Sequence, residues 1–226
     1  MPSQDRVNLA AWCSRSAQFP SLGNARPAHR EGRGRNAVTL RRGFKASAEK
    51  EALELRRVLD LEPSDPLDPR DIAKHLGVKI VGADKLVERD RLDELERLQA
   101  FSFSAATFDI DGRKIIVTNP IRTLGRLNSD LAHELAHILL KHELAEIREI
   151  AGVPFRTCRP DEEQEATTYG GTLLLPRPLL VSAARRHSGP DEIAEEYKVT
   201  LEMARYRYNS TGVAKQVAAA RKGHAS

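Results

Sequence analysis

Long apolar runs, aromatic residues and cysteines are all scarce in this chain of 226 residues. No apolar stretch approaches the roughly 20 residues that span a bilayer, so no transmembrane helix is expected. The first residues lack the apolar core of a secretory signal. Aromatics make up 5% of the chain and charged residues 30%, a balance that fits a soluble, helix-rich protein better than an aromatic-laden β-sandwich. The two cysteines, Cys13 and Cys158, lie far apart and follow no metal-ligand spacing. They read as reduced thiols, which points to the cytoplasm.

Charge is unevenly spread. The net charge is +4, but residues 1–43 hold eight arginines against Asp5 and Glu31, which gives that segment +6 and leaves −2 for residues 44–226. The basic character therefore belongs to the N-terminal stretch and says little about nucleic-acid binding by the body. That stretch, rich in Gly, Arg, Ala and Pro, shows no sustained apolar period and is expected to be a disordered extension.

From Ala46 the pattern turns helical, with Ala48, Ala52, Leu55 and Leu59 three and four apart until "EPSDPLDP" ends it. A short helix is expected over "DPRDIAKHLG", then a strand over "VKIV", then a charged helix around "RDRLDELERLQ". Two strand-like runs, "AFSFSAATF" and "KIIVTN", flank "DIDGR", whose Asp-Gly predicts a hairpin. A further helix is expected from Pro160, capped by Asp161 and closed by Pro176, and "DEIAEEYKVTLEMARYRYN" reads as two short helices joined at "KVT".

The most informative stretch is "SDLAHELAHILLKH", residues 129–142. On a helix His133 and His137 lie one turn apart and about 40° apart in azimuth, so both imidazoles converge on one point. Leu131, Leu135, Ile138 and Leu139 form an apolar back. Two such imidazoles suit zinc, which lowers the pKa of a bound water toward about 7, and Glu134 is placed to take that water's proton. His142, about 180° around the helix from His133, falls outside the set. A third ligand is expected from "DEEQEATTYGG". Acids in a first helical turn complement the dipole, and Asp161 with Gln164 suits a capping-box variant, which accounts for Asp161, Glu162 and Glu163. Glu165 lies beyond that turn and is the preferred ligand, with Glu162 the alternative one turn earlier and Cys158 a softer candidate.

"HELAHILLKH" followed by "EATTYGGTLLLP" resembles the ImmA/IrrE family of metallopeptidases, whose second helix reads roughly E-A-N-x-F-A-A-x-L-L-M-P. Here Thr167 replaces an Asn or Asp, Tyr169 a Phe, Gly170-Gly171 two alanines and Leu175 a Met. The resemblance covers roughly residues 46–210. It implies an α+β zincin-like fold, helices around a small twisted sheet, in a domain over residues 44–212 that ends in a helical, helix-turn-helix-like part at 190–212, with 213–226 as a tail. It implies zinc held by His133, His137 and Glu165, and Glu134 as catalytic base. It also implies a cytoplasmic protease that cleaves a helix-turn-helix repressor or antitoxin-like neighbour in stress response or transcription regulation. The competing expectation is a regulator that binds DNA or a partner without proteolysis, suggested by the 190–212 rhythm with Arg205 and Arg207 on its second helix.

Overall fold

The computed structural model describes residues 40–98, 104–143, 147–150, 153–156, 159–186 and 188–223. The arginine-rich stretch before residue 40, both cysteines and the start of "AFSFSAATF", the first strand of the expected hairpin, lie outside these residues.

Helix α1, Phe44–Val58, presents Phe44, Ala48 and Ala52 to the interior. Helix α2, Pro69–His75, has Pro69 in its first turn and is capped by Asp68, whose carboxylate accepts from the Arg70 amide. Strand β1, Lys79–Gly82, follows, then α3, Arg89–Leu98. Strands β2, Ala105–Ile110, and β3, Arg113–Thr118, form the expected hairpin. Its two central residues, Asp111 at φ 52° and Gly112 at φ 77°, have the left-handed conformation that a two-residue turn needs to match strand twist. The sheet runs in the order β1-β3-β2, with β1 parallel and β2 antiparallel to β3. Strand β2 is thus an edge among the described residues.

Helix α4, Leu124–Leu139, carries the HELAH sequence; Thr123 caps it by accepting from the Arg126 amide. A second hairpin follows, β4, Ile147–Ile150, with β5, Val153–Arg156. Helix α5, Pro160–Leu174, begins at the expected proline, but its cap differs. Its N-cap is Arg159 without a side-chain cap, so Asp161 lies inside the first turn and is not the cap. The C-terminal half of α5 is buried almost all round, as befits a helix enclosed by others: α1, α4 and α8 (Leu201–Ser210) all pack on it. Helices α6, Arg177–Arg185, and α7, Pro190–Glu196, complete this half. Residues expected as a tail form α9, Val213–Gly223, whose Val213 is fully buried with Leu180, Ile193 and Met203.

Two buried arginines close α5. Arg56 donates to the carbonyls of Asp65, Leu173 and Leu174, and burial pulls its pKa down to about 10. Arg207 donates through Nε to the Leu175 carbonyl and through Nη2 to Glu49. The last carbonyls of a helix have no partner within it. These guanidiniums supply one, which fixes α5 against α1 and α8. The observed architecture, helices around a small mixed sheet, is the α+β zincin-like arrangement expected from the sequence.

Candidate metal centre

The centre lies where α4, α5 and β2 meet. Gly170 makes the α4–α5 contact close: a Cβ there would sit 2.8 Å from the Ala132 carbonyl oxygen and 3.0 Å from the His133 amide nitrogen. Seven residues make nearly two whole helical turns, about 700°. Glu163 therefore shares the face of Gly170 that rests on α4.

The result is a cluster of three ligand atoms. His133 Nε2 is 3.1 Å from His137 Nε2 and 3.2 Å from Glu163 Oε2, while His137 Nε2 is 3.6 Å from Glu163 Oε1. A tetrahedral ion with bonds of about 2.0–2.1 Å needs ligand atoms about 3.3–3.4 Å apart. The distances, to one and the other oxygen of Glu163, lie near that edge, and with one ligand atom from each residue the three lie within 4.8 Å of one another, a group that could hold a small metal ion among the described residues. Glu165, expected as the third ligand, is turned away: its carboxylate meets His142 Nε2 at 3.3 Å and Arg41 Nε at 2.9 Å. Two residues on from Glu163 means about 200° around the helix, nearly the opposite face. Glu162 pairs with Arg159 at 3.1 Å. It is Glu163, not Glu165, that the structure brings beside the two histidines, and the signal for this in the sequence is its seven-residue spacing from Gly170.

The field at the cluster is negative. Burial pushes the His133 pKa down, but the hydrogen bond and charge of Glu163, with the charges of Glu134 and Asp130, outweigh it and the net shift is upward. Asp130 is itself pushed up by burial, against the pull of Arg126, whose Nε sits 2.9 Å from Asp130 Oδ2. Such a site favours a cation. Glu134 is buried, and its Oε2 accepts a 2.6 Å hydrogen bond from Thr107 Oγ1 on β2. The edge strand and the residue after the first histidine are thereby joined.

Residues 73–209 match the family model of the IrrE N-terminal-like domain, a peptidase family. The chain belongs to that family. It is a metallopeptidase that acts on protein substrates, and its HExxH sequence is His133–His137. A comparison with curated proteins finds no match. Where the family's second helix usually carries Asn or Asp, Thr167 lines a cavity of about 10 Å³ together with His133, Asp130 and Gly170. His133 Nδ1 is buried with no hydrogen-bond partner among the described residues.

Proposed function

We infer that the chain is a zinc-dependent endopeptidase, with His133, His137 and Glu163 as metal ligands and Glu134 as the general base. The observation that carries the reading is the three-atom cluster, with one carboxylate closing it and a second, Glu134, buried beside it on the edge strand's side. Bound there, zinc would supply a Lewis acid. The chain's own residues supply the rest. Glu134 takes a proton from the attacking water and returns it to the departing amine, work typically worth about 10²–10⁴-fold. Thr107 holds that carboxylate by donating to Oε2. Strand β2 pairs only with β3 among the described residues, which suits a substrate that adds as an extended strand beside the site.

The substrate class that the family resemblance supports is a helix-turn-helix repressor or antitoxin-like neighbour, cleaved in the cytoplasm during stress or transcription regulation. Among the described residues no helix is long and apolar enough to cross a membrane. Direct DNA binding through α7 and α8 is the weaker reading. Arg207 is 3% exposed and engaged with Leu175 and Glu49, while Arg205 lies 3.6 Å from Asp191 on α7. A reading helix needs its basic side chains free to reach base edges.

The test is cleavage of a neighbouring repressor, followed by mass spectrometry, for the wild type and Glu134→Gln at equal zinc occupancy. Metal content should match and cleavage should fall by at least about 10²-fold. Equal cleavage would remove Glu134 from its role. A wild type that holds zinc and leaves its repressor intact would remove the substrate.

A further inference from the structure

We propose that His142 and Glu165 act as positioning residues: they fix the ring of His137 for metal binding and so set metal affinity without touching the ion. The proposal rests on the metal reading above and assigns to two residues outside the ligand set a part in building it.

The geometry is a chain of contacts that starts on the far side of the His137 ring. His137 Nε2 faces His133 and Glu163, and its Nδ1 lies 3.0 Å from His142 Nδ1. The other nitrogen of His142, Nε2, lies 3.3 Å from Glu165 Oε2, and Glu165 Oε1 meets Arg41 Nε at 2.9 Å. An imidazole that gives its Nε2 lone pair to a metal carries its proton on Nδ1. That proton then donates to His142 Nδ1, which must be bare. The His142 proton is therefore on Nε2, where the Glu165 carboxylate accepts it, and the second carboxylate oxygen accepts from Arg41. One tautomer assignment satisfies every contact in the chain. A ligating histidine commonly donates its second nitrogen to a group that fixes the ring; here the acceptor is a histidine backed by a carboxylate.

His142 reaches this place because α4 does not continue straight. Its amide donates to the His137 carbonyl at 3.0 Å and the Lys141 amide to the Ile138 carbonyl at 3.1 Å, with Lys141 at φ 57°. These are the two bonds of a Schellman turn. The turn folds residue 142 back over residue 137, so the two rings meet edge to face at 5.0 Å. Glu165 arrives from α5, on the side opposite Glu163. The inner members are well enclosed, with 7% of the His142 side chain and 17% of Glu165 exposed, whereas Arg41 is 68% exposed. An exposed ion pair adds little, so the effect resides in His142 and Glu165.

The experiment measures metal affinity and the visible spectrum of the cobalt(II)-loaded protein for the wild type, His142→Phe, Glu165→Gln and the double variant, with circular dichroism as the check on folding. His142→Phe keeps a ring and removes both nitrogens. Its metal dissociation constant should rise about 10–100-fold, and the cobalt bands should shift as the His137 ring loses its fixed orientation. Glu165→Gln keeps the shape and loses the charge, and should give a smaller loss of affinity in the same direction. Because Glu165 acts through His142, the double variant should be no weaker than His142→Phe alone. A purely structural pairing would lower the melting temperature and leave affinity and cobalt spectrum of the folded protein unchanged. That result in both single variants overturns the proposal, as does a fully additive double variant. Should His142→Phe not fold, Glu165→Gln decides alone by the same criterion. If the wild type binds no metal and His133→Ala makes no difference, the metal reading itself fails and this proposal with it. If the wild type binds metal through His133 and the His142 and Glu165 variants match it, only this proposal fails.

Discussion

Glu163 and Gly170 lie two turns apart on the same face of α5, and the glycine brings the glutamate to the histidines. With no Cβ at 170, the backbone of α5 comes so near α4 that an added methyl would meet the Ala132 carbonyl oxygen at 2.8 Å. The obstacle is backbone, which cannot swing aside. Gly170→Ala should therefore destabilise the protein although alanine favours a helix by about 1 kcal/mol. It should also weaken metal binding, because parting the helices carries Glu163 away from both imidazoles. Thermal melts and metal titration check this; unchanged affinity would mean that the close approach is not what sets the site.

Glu163 and Glu165 are separated by a simple comparison. Glu163→Gln removes the carboxylate that meets His133 at 3.2 Å and His137 at 3.6 Å, and the purified variant should lose its metal on dialysis. Glu165→Gln should remain stoichiometrically loaded under the same treatment. Metal analysis of the two proteins gives the answer, and the reverse pattern would restore Glu165 as the ligand.

Much of the scaffold follows from local sequence chemistry. The Asp111-Gly112 turn, the Pro69 start of α2, and the apolar back of α4 at Leu131 and Leu135 each rest on neighbours within a few residues, and the structure realises all three. What local reading could not supply depended on which faces meet in space. The acids of α5 look equivalent along the chain, and first-turn dipole effects explained Glu163 too readily. Which of the two comes to lie beside the histidines follows from the contact of Gly170 with α4, a long-range fact. His142 stays outside the ligand group as expected, but it lies beside His137 rather than on the far side of the helix, because a helical angle takes no account of the Schellman turn and Lys141 gives no glycine signal for one. Helix α9 and the burial of Arg207 likewise follow from tertiary packing.

The metal-free protein should show a definite pH dependence. The folded-state pKa of His133 is raised above its ordinary value, chiefly against burial and through Glu163. The protonated ring therefore contributes stability that is complete below about pH 6.5 and is lost as the pH rises through the folded value. Asp130, also raised, acts in the same sense at lower pH. With a chelator present, the melting temperature should fall as the pH rises from about 6 toward 8, and Glu163→Gln should flatten that fall. Metal competes with the His133 proton, so affinity should move the opposite way and improve with rising pH. A melting temperature that climbs over this range in the chelated wild type would contradict the assignment.

Thr107 offers the sharpest test of how the edge strand serves the chemistry. Its hydroxyl donates to Glu134 Oε2 at 2.6 Å in a buried setting, and a hydrogen bond to a charged acceptor is worth about 1.5–3 kcal/mol. Losing it should leave the carboxylate in place and less well aimed at the proton that the proposed base would take. Thr107→Val keeps shape and strand propensity while removing the donor, so folding and metal content should persist. At saturating substrate kcat should fall about 10–100-fold, the rate equivalent of that energy, with KM little changed, because Thr107 acts on the base and not on substrate binding. Thr107→Ser restores the hydroxyl and should recover most of the rate. If Thr107→Val instead raises KM at constant kcat, the residue serves strand docking along β2 rather than the orientation of Glu134.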